Sequence, residues 1–272
     1  MDSFLIFDIE TVPDIESGAS ILGLTNLSDE EVIKAMEHTK FQKTGNTIQP
    51  NHLQKIICIS VIFKKFNEEP KLLSLGDENS KEKELISYFF KSIDKYQPTL
   101  VSWNGKGFDM PVIHYRALKN SVVSEIYWEE GKSNWGNNSN TSSFKYNNYL
   151  NKFHNKHIDL MAKLSNFGPG APLSDIAQMI GAPGKTGIDG SKVCNYYLEG
   201  RLNEIRNYCE TDVLNTYLVF LKFLLISSEI NFKMYKELVS EIIDLVKDSD
   251  KNHLQEFYSG CDISKLIEEQ QT

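Results

Sequence analysis

The sequence predicts an α/β fold built on a mixed sheet. A short apolar run rich in β-formers stands at the N-terminus, and a longer, stronger one spans residues 54–65. Later strand-like runs alternate with segments of helical spacing. At 272 residues the chain is long enough to bury a full hydrophobic core.

The elements follow in order. Residues 3–9, Ser-Phe-Leu-Ile-Phe-Asp-Ile, read as a buried strand, with Pro13 soon after. Ser28-Asp29-Glu30-Glu31 opens a helix over 28–40 with a capping-box arrangement, inside an insertion. Residues 54–65 carry the strongest strand signal, and 70–75 pair with them as a hairpin across Asn67-Glu68-Glu69. Leu85, Tyr88, Phe89 and Ile93 give helical spacing between Ser80 and Tyr96. Thr99 to Trp103 is a short strand, and Phe108 to Asn120 a helix. Residues 129–156 are rich in Asn, Ser, Gly, Lys and Tyr and poor in aliphatics, which marks a polar insertion. Order returns at His157-Ile158-Asp159-Leu160. A helix over 172–181 starts near Ser174 or Asp175 and stops at Gly181. Residues 184–187 and 189–191 read as loop, Arg201 to Ser227 as a long apolar helix, and 231–246 as an amphipathic one. The organisation expected is a single domain over 1–248 and a polar, peripheral segment over 249–272.

Composition narrows the class. Hydrophobic residues are 40% and charged residues 24%, ordinary for a soluble protein, and no apolar run approaches the roughly 20 residues that span a bilayer. The N-terminus lacks the basic region and cleavage site of a signal peptide. Cys58, Cys194, Cys209 and Cys261 form no C-x-x-C pair and read as free thiols, so a reducing, cytoplasmic setting is expected. A net charge of -8 argues against a broad basic surface gripping duplex nucleic acid. It leaves room for a local carboxylate site whose charge bound cations offset.

Three segments concentrate carboxylates. In Phe7-Asp8-Ile9-Glu10-Thr11, strand positions i and i+2 share a face, so Asp8 and Glu10 project together. Adjacent carboxylates repel unless a cation lies between them, and hard divalent ions favour such ligands. Taken alone, the motif also fits solvated acids at a strand end. In Ser102-Trp103-Asn104-Gly105-Lys106-Gly107-Phe108-Asp109 a strand passes through a glycine loop into a helix that Asp109 can cap. Asn104 lies at the strand end, where sheet enzymes place sites, and Phe108 suits either base stacking or the core. In Tyr208-Cys209-Glu210-Thr211-Asp212, i and i+4 of a helix look into one space. Asp212 borders the apolar stripe of Val213, Leu214, Tyr217, Leu218 and Leu221. There it needs a partner such as a metal ion, unless it sits on the polar edge of the helix.

Together and in this order, F-D-I-E-T, N-G-x-x-F-D and Y-x-x-x-D resemble the three exonuclease motifs of the DEDD superfamily. Tyr208, four residues before Asp212, resembles the DEDDy branch, that of polymerase proofreading domains. The DEDDh branch has histidine five before the Asp, where this chain has Asn207. The stretches 103–111, 157–161, 181–185, 188–193 and 205–217 extend the likeness. They resemble the stand-alone predicted exonucleases related to family B DNA polymerase proofreading domains. The likeness covers most of residues 3–225, is weakest in 129–156 and is absent after about 250.

This resemblance implies a ribonuclease-H-like fold, a five-stranded mixed sheet flanked by helices. It implies a catalytic set of Asp8, Glu10, Asp109, Tyr208 and Asp212, the four acids holding two divalent cations, Mg²⁺ or Mn²⁺. Asp8, Glu10 and Asp212 would hold the first, and Asp8 with Asp109 the second. Thr11, Asn104 and Phe108 match positions that touch terminal nucleotides. Lys185 and Lys192, in glycine-containing loops, are candidate phosphate contacts, and Glu210 and Asp159 are structural extras. The implied reaction is 3′→5′ hydrolysis of terminal phosphodiester bonds in single-stranded DNA, in preference to RNA, releasing nucleoside 5′-monophosphates. No polymerase domain fits in this length, so a proofreading or DNA repair role implies a separate polymerase or repair partner. A ribonuclease trimming RNA 3′ ends, and a noncatalytic nucleic-acid-binding module of this fold, are the alternatives.

Overall fold

A computed structural model describes residues 3–131, 145–151, 154, 156–185 and 190–268. The chain opens with β1 (Ser3–Pro13), α1 (Ile15–Leu22) and α2 (Asp29–Thr44), then β2 (Gln54–Lys65), β3 (Lys71–Ser74) and α3 (Glu82–Tyr96). β4 (Thr99–Ser102), α4 (Asp109–Asn120), β5 (His157–Asp159), α5 (Leu160–Leu164) and α6 (Leu173–Ile180) follow. The C-terminal part is helical: α7 (Val193–Leu198), α8 (Leu202–Ile226), α9 (Phe232–Lys247), α10 (Asn252–Gly260) and α11 (Ile263–Leu266).

The strands form one mixed sheet in the order β3-β2-β1-β4-β5. β1 is its centre, antiparallel to β2 and parallel to β4, and β5 runs parallel to β4. This is the five-stranded mixed sheet flanked by helices that the resemblance implied. β1 pairs with β4 from Phe4↔Thr99 to Ile6↔Val101, so its second half runs on past the end of β4.

Each face of the sheet buries its own core. Leu5, Phe7 and Ile9 pack with Phe89 and Phe90 of α3 and Val112 and Ile113 of α4. On the other face Ile6 joins Val213, Leu214 and Tyr217 of α8, and Val12 meets Ile205 and Cys209 of the same helix. Period-2 alternation along β1 produces this division. α8 carries apolar residues nearly all round, as a helix clamped between the sheet and α9, α10 and α6 must. It buries Val213, Leu214, Leu218 and Phe220 almost completely.

Several expectations are corrected. α1 and α7 were not foreseen; Asp14 starts α1 by accepting from the Ser17 N–H at 3.2 Å. Tyr88, placed in the apolar stripe of α3, is 41% exposed, while Leu85, Phe89 and Ile93 are buried. The segment 249–272, expected at the periphery, sends Leu254, Phe257 and Leu266 into the core beside α8 and α9. Three apolar side chains spaced among polar ones suffice for that, and composition hides them. Much of the insertion 129–156 lies outside the described residues. Of its described part, Tyr149 is buried against Tyr127, and its hydroxyl donates to the Pro98 carbonyl at 2.7 Å.

Candidate functional site

Asp8 and Glu10 sit on the α8 side of β1, between Ile6 and Val12, which pack on that helix. Strand alternation fixes this placement, since Phe7 and Ile9 are claimed by the opposite core. A register shift follows at Glu10/Thr11, where β2 carries an extra residue and the pair kinks.

The glycine loop after β4 delivers Asp109. Ser102 Oγ lies 2.8 Å from His157 Nε2, and a Cβ on Gly105 would stand 2.1 Å from that oxygen, so only glycine lets the chain pass. Asn104 takes the left-handed conformation at φ 61°, which asparagine tolerates better than most residues. Asp159 holds the loop from below. It accepts the Asn104 N–H at 3.1 Å and the Lys106 N–H at 2.9 Å while capping α5 through the Ala162 N–H at 3.2 Å. Asp109 then opens α4, and its carboxylate accepts N–H bonds from its own backbone and from Ile9, which seats it beside β1. Further along α4, buried Arg116 pairs with Asp14 and, at 2.6 Å, with Glu82, anchoring the helix to the starts of α1 and α3.

α8 supplies the third group. The Tyr208 hydroxyl donates to Asp212. The Cys209 thiol contacts Asp8 Oδ2 at 3.6 Å and the Asp8 carbonyl at 3.5 Å. Glu210 faces away, accepting from His253 Nε2 at 2.8 Å, Lys251 Nζ at 3.0 Å and Ser74 Oγ at 3.0 Å. It ties α8 to α10 and β3, a structural role like that of Asp159.

The acids resist one another's ionisation. Burial, followed by the fields of Asp109 and Asp212, raises the Asp8 carboxyl well above its ordinary range. Burial, then Asp8 and Asp212, does the same to Glu10. Burial pushes Asp109 up to about 7, with Asp159 adding to the rise and the two N–H bonds opposing it. Burial takes Asp212 to about 6, against the Tyr208 hydrogen bond and the Lys185 charge. Burial and the surrounding acids also raise the Tyr208 phenol, so it stays protonated and acts as a donor.

Such a cluster is chemically incomplete without positive charge, and its oxygens are the donors that hard divalent cations take. The tightest convergence is narrower than expected. Ligand atoms of Asp8, Glu10 and Cys209 all lie within 4.8 Å of one another, and among the described residues no other trio of His, Cys, Asp or Glu does so. Asp109 and Asp212 flank that trio. Cys209 is the member sequence reasoning missed. The signal was present, because it lies three residues before Asp212 and so shares a helix face with it.

The expected substrate contacts are placed unevenly. Lys185 is exposed, and its charge reaches Asp212. A Cβ on Gly190 would lie 3.9 Å from the Tyr208 hydroxyl, so that loop end borders the site. Lys192 is exposed in the turn Gly190–Lys192, and residues 186–189 lie outside the described residues. Thr11 is half-buried and donates to Gln54 Oε1 at 3.0 Å. Asn104 serves the turn: a Cβ on Gly107 would stand 2.5 Å from its Oδ1. Phe108 is half-buried and packs on the α3–α4 core, beside the acid it precedes.

A family described as "Predicted 3'-5' exonuclease related to the exonuclease domain of PolB" matches residues 46–261. That span holds Asp109, Tyr208 and Asp212, whereas Asp8 and Glu10 precede it and reach the site through the pairing of β1 with β2. A DNA polymerase of Archaeoglobus fulgidus is 25% identical over 166 residues, 60% of this chain and 19% of that protein. The chain thus spans about a fifth of that relative's length. The family B DNA polymerase structure from Pyrobaculum calidifontis superposes with a TM-score of 0.49 at 16% identity, covering 83% of this chain and 25% of that one.

Proposed function

The chain belongs to the family of predicted 3′–5′ exonucleases related to the exonuclease domain of PolB, and we propose that it is an active member, removing nucleotides from the 3′ ends of single-stranded DNA with two divalent cations. The observation that carries this reading is the meeting of four acids from three separate segments, Glu10 and Asp109 buried and Asp8 and Asp212 half-buried, beside a protonated tyrosine. Acids in a structural ion pair behave in the opposite way: against its burial, Lys119 and Arg116 lower the Asp14 carboxyl, whereas all four site carboxyls are raised.

Asp8, Glu10 and Asp212 would hold one cation, and Asp8 with Asp109 the other. Two cations so held would supply activation of the attacking water and neutralisation of the departing 3′ oxygen. Tyr208, kept protonated, orients that water by donating a hydrogen bond instead of removing its proton. Lys185, at the mouth of the cluster, attracts the phosphate. The products are a nucleoside 5′-monophosphate and a strand one residue shorter. A separate polymerase or repair protein would supply the strand ends.

The test is a gel assay on 5′-labelled single-stranded DNA and the matching RNA, with Mg²⁺, Mn²⁺ or EDTA, beside Asp8→Ala. A metal-dependent ladder shortening from the 3′ end, faster on DNA and missing in the variant, is expected. Faster trimming of RNA would move the substrate to RNA. Binding without cleavage under either metal would reject catalysis.

A further inference from the structure

Carboxylates alone would make this a hard-ion site, yet the side chain that closes the tightest trio is a thiol. Cys209 Sγ, with oxygens of Asp8 and Glu10, forms a set of three ligand atoms all within 4.8 Å of one another. The sulfur already contacts Asp8 Oδ2 at 3.6 Å. Cys58, on β2 and fully buried, hydrogen-bonds to the Cys209 thiol from behind, so two sulfurs stand against the acids. Both belong to the core cluster that joins β1, β2 and α8. The Cys209 position is therefore set by packing, not by a mobile side chain.

Ligand type decides which cation such a set prefers. Thiolate favours zinc and cadmium over magnesium or manganese, while oxygens accept either. Zinc takes sulfur at about 2.3 Å and carboxylate oxygen at about 2.0–2.2 Å, with four ligands in all. Three convergent donors leave one position for solvent or a phosphate oxygen.

We infer that Cys209, with Asp8 and Glu10, forms a site for a thiophilic divalent cation, zinc in the first instance, which occupies the nuclease centre in place of the hard cations and arrests it. Binding exchanges the thiol proton for a sulfur–zinc bond and releases that proton to solvent, with no change of oxidation state. The arrest rests on the proposed nuclease reading, whereas the binding does not.

Two measurements on the full chain keep these apart. The first is zinc absorption-edge spectroscopy on wild-type protein loaded with one equivalent of Zn²⁺. One sulfur at about 2.3 Å, the rest of the shell being lighter atoms, is expected. A shell of oxygen and nitrogen alone overturns the inference, and needs no variant to do so. The second uses Co²⁺ as a coloured stand-in for zinc. A sulfur-to-metal charge-transfer band should form in the wild type, vanish in Cys209→Ser and Asp8→Asn, and survive in Cys58→Ser, with circular dichroism confirming that each variant folds. A band that persists in folded Cys209→Ser refutes the site.

For the arrest, the Zn²⁺ concentration that halves Mg²⁺-supported cleavage is read for each protein against its own rate. It should rise on the order of tenfold in Cys209→Ser. No rise, with the sulfur bond present, removes the arrest and leaves the zinc site. No cleavage by the wild type, with the bond present, counts against the nuclease reading alone.

Discussion

Asp8 shares the field of every other acid in the cluster: Asp109 and Asp212 raise its carboxyl, and it raises that of Glu10. Without cations this is a concentrated repulsion, so neutralising Asp8 at constant volume should stabilise the metal-free protein. Asp8→Asn is expected to raise the melting temperature in EDTA by about 2–4 °C, the response to roughly 1 kcal/mol in a domain of this size. The same variant should lose cleavage and its stabilisation by Mn²⁺. A fall in melting temperature would mean that Asp8 is balanced by charge already in the fold. In the proposed mechanism Tyr208 acts more gently, because its phenol only donates while the acids would hold the cations. Tyr208→Phe should lower kcat by about 10²-fold, the scale of one lost hydrogen-bond donor. Asp8→Ala should lower it by about 10⁴-fold or more. Single-turnover rates decide, and the reverse ranking would make Tyr208 the proton acceptor.

At the scale of elements, the site depends on how α8 is held against β1. Glu210 does this from the far side of the helix: its side chain is 4% exposed and bonded to Lys251, His253 and Ser74. Burial works against its ionisation, but the His253 and Lys251 hydrogen bonds prevail and bring it down to about 2. Glu210→Ala should therefore cost about 2 kcal/mol in urea unfolding at pH 7. That lies below the range for a fully buried pair, because Lys251 is half exposed and can return to water. The folded value lies below the usual 4.5, so this stabilisation is complete above pH 4.5 and is lost as pH falls through 2. A change under about 0.5 kcal/mol at pH 7 would leave the link between α8 and α10 to packing alone. The same elements show what sequence can reveal. β2, α3 and α9 are legible because each carries its own period over many residues, and α2 because Ser28 and Glu31 form the capping box they spell. α1 and α7, at 8 and 6 residues, are too short for a period to emerge. The acid pairs are legible as local motifs, whereas the meeting of Cys209 with Asp8 is made by docking α8 on β1, 201 residues apart.

For the whole molecule, the proposed reading has proton and cation competing for one pocket, which would tie stability to pH and metal together. Asp109 titrates near 7 and Asp212 near 6 in the folded chain, against 3.8 for free aspartate. A carboxyl raised in this way contributes stability that is complete below pH 3.8 and is lost as pH rises through 6 and 7. Buried His157 and half-buried His114 pull the other way. Burial lowers them to about 3 and about 4, so their contribution is complete above 6.5 and fades as pH falls. The metal-free protein is thus squeezed from both sides. A divalent cation held as proposed would relieve the alkaline side only, because it binds ionised carboxylates and must first displace any protons. Saturating Mn²⁺ should raise the melting temperature more at pH 8 than at pH 5.5, and binding at pH 6.5 should release protons that calorimetry in buffers of different ionisation enthalpy can count. EDTA should reverse the gain. In Asp8→Asn the gain should be small at either pH. An equal rise at both pH values would place the cation elsewhere on this acidic chain, bound to carboxylates with ordinary pKa values.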